Sequence, residues 1–437
     1  MKKWTIILII TLSVISGCNT QAVKERKYRM AALKAAAWLK TVGIERHEGK
    51  IWAADPRDTT TIMTHLYSGS SGVVLFFLEA YRITGKKSFL EEACSGADYL
   101  LTTLSDKLGP NESGLYTGLS GIGFVLAETF RITNESKYRK GVMQCVHLLR
   151  EFAESTEHGI RWSSVTDIIS GSTGTGLFLL YVADKLDLPD ALTLAEQAGY
   201  ELLARAITDR DGLKWAMDDS YPRLMPNFSH GTAGVAYFLT ELHRITGNPV
   251  FLDKALLGGR YLQSLTKEDG MIFHHEPGGE DLFYLGWCHG PPGTTRLYYR
   301  LWQATGDPSW IEAIHRAAQT ILHSGIPDTA VPGFWNNVGQ CCGSAGVADF
   351  FLSLYGLTNR LEYREFAYRL TDHLLAHASD METGLAWIQA EHRVRPDYLI
   401  AQTGYMQGAA GIGMWLLRIS SNQREAKERI MLPDSPW

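Results

Sequence analysis

Apolar residues recur at three- and four-residue spacing through most of this chain, which is the period of an amphipathic α-helix. Shorter runs that are apolar on almost every side alternate with these segments. We therefore predict inner helices that are buried all round and outer helices with one apolar face. The outer helices are predicted at 28–42, 89–104, 138–152, 192–207, 251–265, 310–322 and 363–375, and the inner runs include 73–81, 174–183, 235–242 and 347–354.

A frame of two glycines separated by two residues precedes each inner run, and successive copies begin roughly 50 to 65 residues apart. Helix-breaking turns such as Thr84-Gly85-Lys86 and Thr246-Gly247-Asn248-Pro249 separate inner from outer helices. The pattern predicts seven helical hairpins, the first of which takes 28–42 as its outer helix. The first glycines of the seven frames are Gly69, Gly118, Gly171, Gly231, Gly290, Gly343 and Gly408.

Helical hairpins of this kind can stack as an open solenoid or close into a ring. Inner runs that are apolar nearly all round, such as 174–183, favour the ring, because its inner helices are buried on both sides. The predicted fold class is all-α, an (α/α)7 toroid of seven inner and seven outer helices. The glycines serve close packing and place every inner-helix N-terminus at one pole, where free N–H groups favour anionic ligands and thiolates.

The residues in front of the glycine frames carry chemistry in the fourth to sixth copies. Cys288 and Cys341 occupy the same slot in neighbouring copies, and Cys342 follows the second of them. Three converging thiolates fit Zn²⁺ in tetrahedral geometry, with Zn–S bonds of ~2.3 Å. Two alternatives are a disulfide between the adjacent cysteines and a structural zinc site completed by His289 or His230.

The N-terminus differs from the rest of the chain. Lys2 and Lys3 precede an apolar stretch over 4–15, which is short for a membrane span. The sequence Ile15-Ser16-Gly17-Cys18 then follows, and it is typical of a bacterial lipobox in which Cys18 is acylated. The alternative is an ordinary signal peptide with an incidental cysteine.

This pattern predicts a lipoprotein signal peptide at 1–18, a tether at 19–24 and a toroid domain at 25–437. Asn19 stands where an aspartate would signal retention in the inner membrane. We therefore expect a lipoprotein of the cell envelope that is bound to the membrane through its lipid. In a cell with two membranes it would lie on the outer membrane facing the periplasm, and otherwise on the extracytoplasmic face of the cell membrane.

The composition excludes some classes of partner and structure but does not point to a particular function. The 437 residues are 45% hydrophobic and carry a net charge of −5, with no basic run, so we expect no nucleic-acid partner. We also expect a monomer. Assigning Cys18 to lipid leaves five of the six cysteines, and an odd number argues against a complete disulfide framework. Cys94 and Cys145 lie in apolar helical patterns and are predicted to be small buried side chains.

The motif Trp287-Cys288-His289-Gly290, followed by Cys341-Cys342-Gly343, resembles the paired motifs of the lanthionine synthetase C-like family of peptide cyclases. The resemblance covers nearly the whole mature chain and implies an α/α toroid. It also implies a zinc ion held by Cys288, Cys341 and Cys342, with a fourth position open to a substrate thiol. Histidine is commoner in the family at the place of Cys342. A third cysteine makes the metal less electrophilic and a bound thiolate more nucleophilic.

The resemblance further implies that Asp167 and His230 handle protons, with His289 as an alternative donor. Two positions depart from the family pattern. Tyr284 stands where an arginine is usual, and His289 stands where a tyrosine usually follows the first zinc cysteine. These departures concern the acid and base chemistry more than the metal.

Three functions follow from these expectations. The first is a cyclase that adds a peptide cysteine thiol to a dehydroamino acid and forms a thioether. The second is an envelope-anchored, zinc-dependent receptor for thiols or peptides without cyclase activity, which the export signal favours. The third is a carbohydrate enzyme, since other α/α toroids act on sugars, but Asp167 is the one obvious carboxylate in the predicted pole residues and such chemistry usually needs two.

Overall fold

The computed structural model describes residues 2–104, 109–221, 223–331, 337–390 and 395–437, with side chains from residue 21 onward except that of Gln423. Helices form two concentric layers. The inner helices are α2 Ser70–Thr84, α4 Leu119–Thr133, α6 Ser172–Leu186, α8 Thr232–Thr246, α10 Pro291–Thr305, α12 Ser344–Thr358 and α14 Ala409–Ile419. The outer helices are α1 Lys2–Val42, α3 Lys87–Thr102, α5 Ser136–Phe152, α7 Pro189–Ala204, α9 Pro249–Leu265, α11 Pro308–His323 and α13 Leu361–Ala376, and a short α15 spans Gln423–Lys427.

The seven inner helices and seven outer helices confirm the predicted toroid. Each outer helix from α3 to α13 packs against the inner helix that precedes it, and the inner helices neighbour one another around the ring, with α14 against α2. The predicted partner of the first copy was wrong. Helix α1 packs mainly against α14 and not α2, because α3 already covers α2 and the short α15 cannot cover α14. The two ends of the chain therefore close the ring.

Six inner helices end at a residue in the left-handed backbone conformation, with φ between 54° and 71°. This conformation stops the helix and turns the chain towards the outer layer, and glycine and asparagine adopt it with the least strain. The predicted breaker turns are confirmed by this geometry. The terminating residues are Gly85, Asn134, Asp187, Gly247, Gly306 and Asn359.

Within the described residues, five two-stranded antiparallel hairpins connect the layers, and the helical period did not predict them because each strand has only two or three residues. They pair β1 Ile44–Arg46 with β2 Gly49–Ile51, β3 Glu154–Ser155 with β4 Ile160–Arg161, β5 Ile207–Asp209 with β6 Gly212–Lys214, β7 Ser379–Met381 with β8 Gly384–Ala386, and β9 Ile388–Ala390 with β10 Leu399–Ala401.

A tryptophan follows four of these hairpins and fastens each of them to the outer helix before it. Trp52, Trp162, Trp215 and Trp387 each donate the indole N–H to a leucine carbonyl 13 residues earlier, at 2.7–2.9 Å. These carbonyls lie near helix C-termini, where they lack a partner within the helix. The repeated bond gives the hairpins one common position along the rim.

The segments that lead into the seven inner helices form a closed circle of backbone hydrogen bonds, which we call the pole ring. In each bond an N–H of one segment donates to a carbonyl of a neighbouring segment at 2.8–3.3 Å, and the last bond returns from Met406 to Tyr67. The ring joins seven parts of the chain that are distant in sequence. Its residues are Tyr67, Tyr116, Ile168, Ile169, Ser229, Cys288, Cys341 and Met406.

The second glycine of each frame is explained by the close approach of the leading segment to the start of its inner helix. A Cβ atom built on Gly293 would overlap the carbonyl oxygen of Trp287, and one built on Gly346 would overlap that of Gln340. The leading segment can therefore fold back onto its helix only if this position has no side chain. The predicted packing role of the glycines is confirmed, and the same packing places the cysteine slots above the helix N-termini.

The C-terminal segment, residues 429–437, enters the middle of the ring. Asp434 is fully buried there, where its carboxylate accepts a hydrogen bond from Tyr116 at 3.1 Å and pairs with Arg296 at 3.0 Å. Trp437 packs against Tyr299 of α10 with ring centroids 5.0 Å apart. The segment thus forms a central plug that combines a buried charge pair with apolar side chains such as Ile430 and Trp437.

The predictions for the N-terminus rest on residues whose side chains are not described. The backbone of Lys2–Val42 is helical, but the side chains of residues 2–20, including Cys18, lie outside the described part. Among the helices searched within the described residues, none combines the length and apolar character required to cross a bilayer. The boundaries at 1–18, 19–24 and 25–437 stay predictions.

Candidate metal centre

Three cysteine sulfurs meet at the pole where the inner helices begin. The sulfurs of Cys288, Cys341 and Cys342 all lie within 4.8 Å of one another. Cys342 Sγ is 3.4 Å from Cys288 Sγ and 3.3 Å from Cys341 Sγ. Cys288 and Cys341 are buried, and Cys342 is partly exposed. The convergence predicted from equivalent slots in two copies is therefore present.

The pole ring holds these cysteines in register. The N–H of Cys288 donates to the carbonyl of Cys341 at 3.3 Å, and the N–H of Cys341 donates to the carbonyl of Met406 at 3.0 Å. Two residues later, the glycines Gly290 and Gly343 are the N-caps of α10 and α12. The sulfurs thus approach the positive ends of two helices, which stabilise thiolates.

The sulfur distances fit a metal and exclude a disulfide in this structure. A bonded sulfur pair lies ~2.05 Å apart, and all three cysteines are free thiols. Zn–S bonds of ~2.3 Å at tetrahedral angles require sulfurs ~3.8 Å apart, close to the separations observed. No histidine joins this group within the described residues, so the three sulfurs alone form it. A set of three ligands leaves one tetrahedral position open.

Two residues from other copies lie beside the sulfurs, and the sequence analysis did not single them out. The Tyr67 hydroxyl neighbours Cys341, and the Gln407 side chain neighbours Cys342. The polar interactions of Cys341 with the other two thiols, together with the neighbouring Tyr67 hydroxyl, hold the pKa of Cys341 well below its usual range. Cys341 is therefore the first of the three to ionise.

Asp167 and His230 form a pair beside the sulfurs. His230 Nδ1 lies 2.5 Å from Asp167 Oδ2, and the second carboxylate oxygen accepts from the backbone N–H groups of Ser170 and Gly171 at 2.8 and 2.9 Å. Burial by itself lowers the pKa of His230, but the hydrogen bond and charge of Asp167, with a smaller effect of Cys341, outweigh it, and the pKa is raised.

His289 lies beyond His230 and faces a further group of aromatic side chains. Its ring centroid is 5.5 Å from that of His230, 4.0 Å from that of His274 and 5.7 Å from that of Tyr284. Burial and the neighbouring imidazoles keep the pKa of His289 well below its ordinary value, so this side chain is neutral. Its Nδ1 is buried and has no hydrogen-bond partner among the described residues.

His274 was missed by the sequence analysis because the segment between α9 and α10 has no periodic pattern. Its ring lies between those of His289 and Tyr284, with centroids 4.0 and 4.6 Å away and interplanar angles of 40° and 42°, and its Nδ1 is 2.7 Å from that of His275. Tyr284 is the position where the family resemblance suggested an arginine. An aromatic side chain therefore occupies a place for which an arginine was expected.

Trp287 connects the metal loop to the central plug. Its ring packs on Tyr116 with centroids 5.3 Å apart, and the Arg296 guanidinium lies 5.8 Å from the ring centroid. Arg296 in turn pairs with Asp434, as described above. Trp287, which is next to Cys288, thus packs against a buried charge pair, and this packing restricts the movement of the loop.

Comparison with known proteins fits this arrangement. The sequence profile described as lanthionine synthetase C-like protein matches residues 62–432. The chain belongs to this family. Among lanthionine synthetase C-like relatives, the protein from Danio rerio named glutathione S-transferase LANCL1 is 23% identical over 317 residues, which cover 70% of this chain and 72% of that protein.

Solved structures share the fold of this lanthionine synthetase C-like chain. Nisin cyclase superposes with a TM-score of 0.60 at 17% identity, covering 90% of this chain and 95% of that one. D-mannose isomerase superposes with a TM-score of 0.51 at 13% identity, covering 90% and 97%. Enzymes of different chemistry thus share the toroid, so the function has to be argued from the site.

Proposed function

We propose that this protein is a zinc-dependent lanthionine synthetase-like enzyme, which adds a peptide cysteine thiol to a dehydroamino acid and forms a thioether. The observation that supports it most is the group of three sulfurs within 4.8 Å, beside the Asp167–His230 pair, in a chain of this family. We assign Cys288, Cys341 and Cys342 as the zinc ligands. When bound, zinc would lower the pKa of a substrate thiol in its open position.

His230 is proposed to manage the proton of this reaction. Asp167 accepts the Nδ1–H bond and so leaves Nε2 of the ring for the substrate. The new C–S bond forms at the β-carbon, the thiol proton passes to His230, and the α-carbon then takes a proton from it. The raised pKa of His230 suits the second step, because an imidazolium is a better donor than a neutral ring.

His289 is proposed to act as a hydrogen-bonding group towards the substrate. Its low pKa makes it a poor acid, although it was first considered as an alternative proton donor. Its buried Nδ1 lacks a partner in the described residues, and a buried polar atom of this kind usually has one. A substrate amide in the site would provide that partner.

A second candidate substrate is a small free thiol. The relative from Danio rerio is named for transfer of glutathione, a cysteine-containing tripeptide, and this chain shares most of its length with that protein. The same sulfur cluster would activate either thiol. The two candidates differ in whether the thiol and the alkene belong to one molecule.

We also propose that the protein acts at the cell envelope, anchored through acylated Cys18. The support is the sequence Ile15-Ser16-Gly17-Cys18 behind a basic and apolar segment. This location would separate it from cytoplasmic peptide synthesis. The receptor without cyclase activity remains the outcome to expect if thiol peptides bind tightly and no thioether forms.

The test uses purified zinc-loaded protein with a dehydrated peptide that carries one cysteine, and a second reaction with glutathione and a dehydrated peptide without cysteine. Because cyclisation leaves the mass unchanged, thioether formation is measured as loss of maleimide-reactive thiol. Cys288→Ala should abolish it and weaken zinc binding roughly 70- to 900-fold, since ~10–16 kcal/mol shared among four coordination positions gives about 2.5–4 kcal/mol for each.

Cys94→Ala is the matched control, because Cys94 is a free, partly buried cysteine on the outer helix α3. This variant should keep zinc affinity and turnover. Equal loss of thiol in wild type and Cys288→Ala would rule out a catalytic role for the cluster. Thioether formation only with glutathione would select the free-thiol substrate over the peptide cysteine.

A further inference from the structure

A continuous chain of hydrogen bonds runs from a backbone amide to the Tyr67 hydroxyl, which lies beside the sulfurs. The N–H of Gly339 donates to Asn337 Oδ1 at 2.8 Å, and Asn337 Nδ2 donates to Gln407 Oε1 at 2.7 Å. Gln407 Nε2 then donates to the Tyr67 hydroxyl oxygen at 3.3 Å. The Tyr67 hydroxyl and the Gln407 amide are the groups that neighbour Cys341 and Cys342, respectively.

The direction of every bond in this chain is determined by its first donor. A backbone N–H can only donate, so Asn337 must present its oxygen to Gly339 and its NH₂ group to Gln407. Gln407 must then present its oxygen to Asn337 and its NH₂ group to Tyr67. Because the Tyr67 oxygen accepts from Gln407, its own hydrogen is available to the Cys341 sulfur.

Burial makes this chain difficult to rearrange. Asn337 is 2% exposed and Gln407 is 5% exposed. Gln389, 7% exposed, accepts from the N–H of Val338 at 2.8 Å and donates to the carbonyl of Gln407 at 2.5 Å. A flipped amide would leave buried donors unpaired, which costs about 1–3 kcal/mol for each. The donors that face the sulfurs are therefore held in place.

We propose that Tyr67 and Gln407 are positioning residues of the metal site, which donate hydrogen bonds to the Cys341 and Cys342 thiolates and so stabilise their charge. The inference rests on the proposed zinc site. It assigns to the first and seventh copies of the repeat a role in a site whose ligands come from the fifth and sixth.

The charge of an all-cysteine site explains the need for such donors. Three thiolates around one divalent cation leave a net charge of −1 in a largely buried place, and buried charge is costly unless it is hydrogen-bonded. Bonds from an amide and a phenol spread this charge into the protein without adding a ligand. The pole ring brings these donors to the sulfurs, since Met406, next to Gln407, pairs with both Tyr67 and Cys341.

The test compares Tyr67→Phe and Gln407→Met with the full-length wild-type protein. Zinc affinity is measured by competition with a chromogenic chelator, and Co²⁺-loaded protein is examined by absorption spectroscopy. Loss of an outer hydrogen bond to a ligand is expected to weaken zinc binding by about 10–100-fold. The sulfur-to-cobalt charge-transfer band should move to longer wavelength, because a thiolate that lacks the bond gives up an electron more easily.

Tyr116→Phe is the matched control. Tyr116 occupies the same slot in the second copy and is also buried, but its hydroxyl donates to Asp434 and not to a sulfur. This variant should lose stability in urea while its zinc affinity and cobalt spectrum stay those of wild type. The comparison separates loss of a buried hydroxyl from loss of a bond to sulfur.

The outcomes distinguish the inference from the proposed function. If wild type binds zinc and loses it in Cys288→Ala, but Tyr67→Phe and Gln407→Met keep wild-type affinity and spectrum, the positioning role is overturned and the metal site stands. If wild type binds neither zinc nor cobalt, the proposed function fails first. A red-shifted cobalt band in Tyr67→Phe but not in Tyr116→Phe supports the inference.

Discussion

At the pole where the inner helices begin, sulfur, imidazole, phenol and amide groups converge from all parts of the chain, whereas near the opposite pole several glutamates have an arginine partner within their own helix. Near the ends of α2, α4 and α8 a glutamate pairs with an arginine three residues later, at 2.7–2.8 Å. These pairs form as soon as each helix forms. The groups at the first pole meet only when the ring has closed.

This difference indicates that the pole where the inner helices begin is the one available for chemistry. A charge that is paired within its own helix needs no other part of the fold and changes little when the rest of the protein changes. Cys288, Cys341, Tyr67 and Gln407 depend on contacts between copies, so their arrangement reports the closure of the toroid. The C-terminal segment, residues 429–437, connects the two poles, because Asp434 accepts from Tyr116 of the pole ring and the N–H of Ile430 donates to Glu79 near the end of α2.

Asp434→Ala should have the largest effect, because it breaks that connection. It would leave Arg296 buried without its carboxylate, and removing one partner of a buried pair costs about 3–5 kcal/mol. We expect this loss in the free energy of unfolding measured in urea. Ser435→Ala, next to it in the same segment, should change the value by less than about 0.5 kcal/mol. Equal stability of the two variants would contradict a connecting role for the plug.

Asp167→Asn tests a pair that exists only because copies three and four meet. The raised pKa of His230 means that the folded state holds this proton more tightly than the unfolded chain. The resulting stability is complete below the ordinary histidine pKa, about 6.5, and is lost as pH rises through the pKa of the folded state. Asparagine keeps the oxygen that accepts from Ser170 and Gly171, but not the charge.

We therefore expect metal-free Asp167→Asn to be less stable than wild type by about 1.5–3 kcal/mol at pH 5.5, the usual contribution of a charged hydrogen bond. The difference in the free energy of unfolding between wild type and Asp167→Asn should decrease as the pH rises to 9. Urea unfolding at several pH values measures this difference. Asp184→Asn, on a half-exposed aspartate near the end of α6, should show no such dependence. A gap that is constant with pH would contradict the assigned charge of His230.

Arg244→Ala should have the smallest effect and so sharpen the contrast between the poles. Arg244 is 48% exposed, and its partner Glu241 has a second contact with Arg300 of α10. The Arg244 guanidinium is open to solvent, so its contribution is less than about 1 kcal/mol, and the buried Glu241 keeps Arg300 as a partner. Thermal or urea unfolding should therefore show almost wild-type stability. A loss comparable to that of Asp434→Ala would contradict this minor contribution of Arg244.

Much of the fold follows from local patterns. The helical period, the glycine frames and breakers such as Gly85 and Gly247 predict fourteen helices and a ring, because each depends on residues close together in sequence. The pairing of α1 with α14 could not be predicted in this way. Local order suggests that neighbours in sequence pair, and only closure shows that the last inner helix lacks a cover.

The residues of the candidate site also fall into two groups, those that could be predicted from the sequence and those that could not. Cys288, Cys341 and Cys342 could be predicted because the repeat places equivalent slots side by side, whereas Asp167 and His230 were expected from the family resemblance and their contact was not predicted. Tyr67 and Gln407 lie in those slots too, but a tyrosine or glutamine in a glycine-rich segment indicates no chemistry until its hydrogen bonds are known. His274 lies outside the repeat, so periodicity contains no information about it.

Because the pole ring returns from Met406 to Tyr67, the number of copies in this toroid is fixed. An open solenoid can gain or lose a repeat at its end and keep every other contact, but here an added or deleted copy would leave backbone donors and acceptors without partners. Change by duplication is therefore costly, whereas exchange of one residue within a slot leaves the ring intact. New activities on this scaffold are expected to arise by substitution at a constant count of seven.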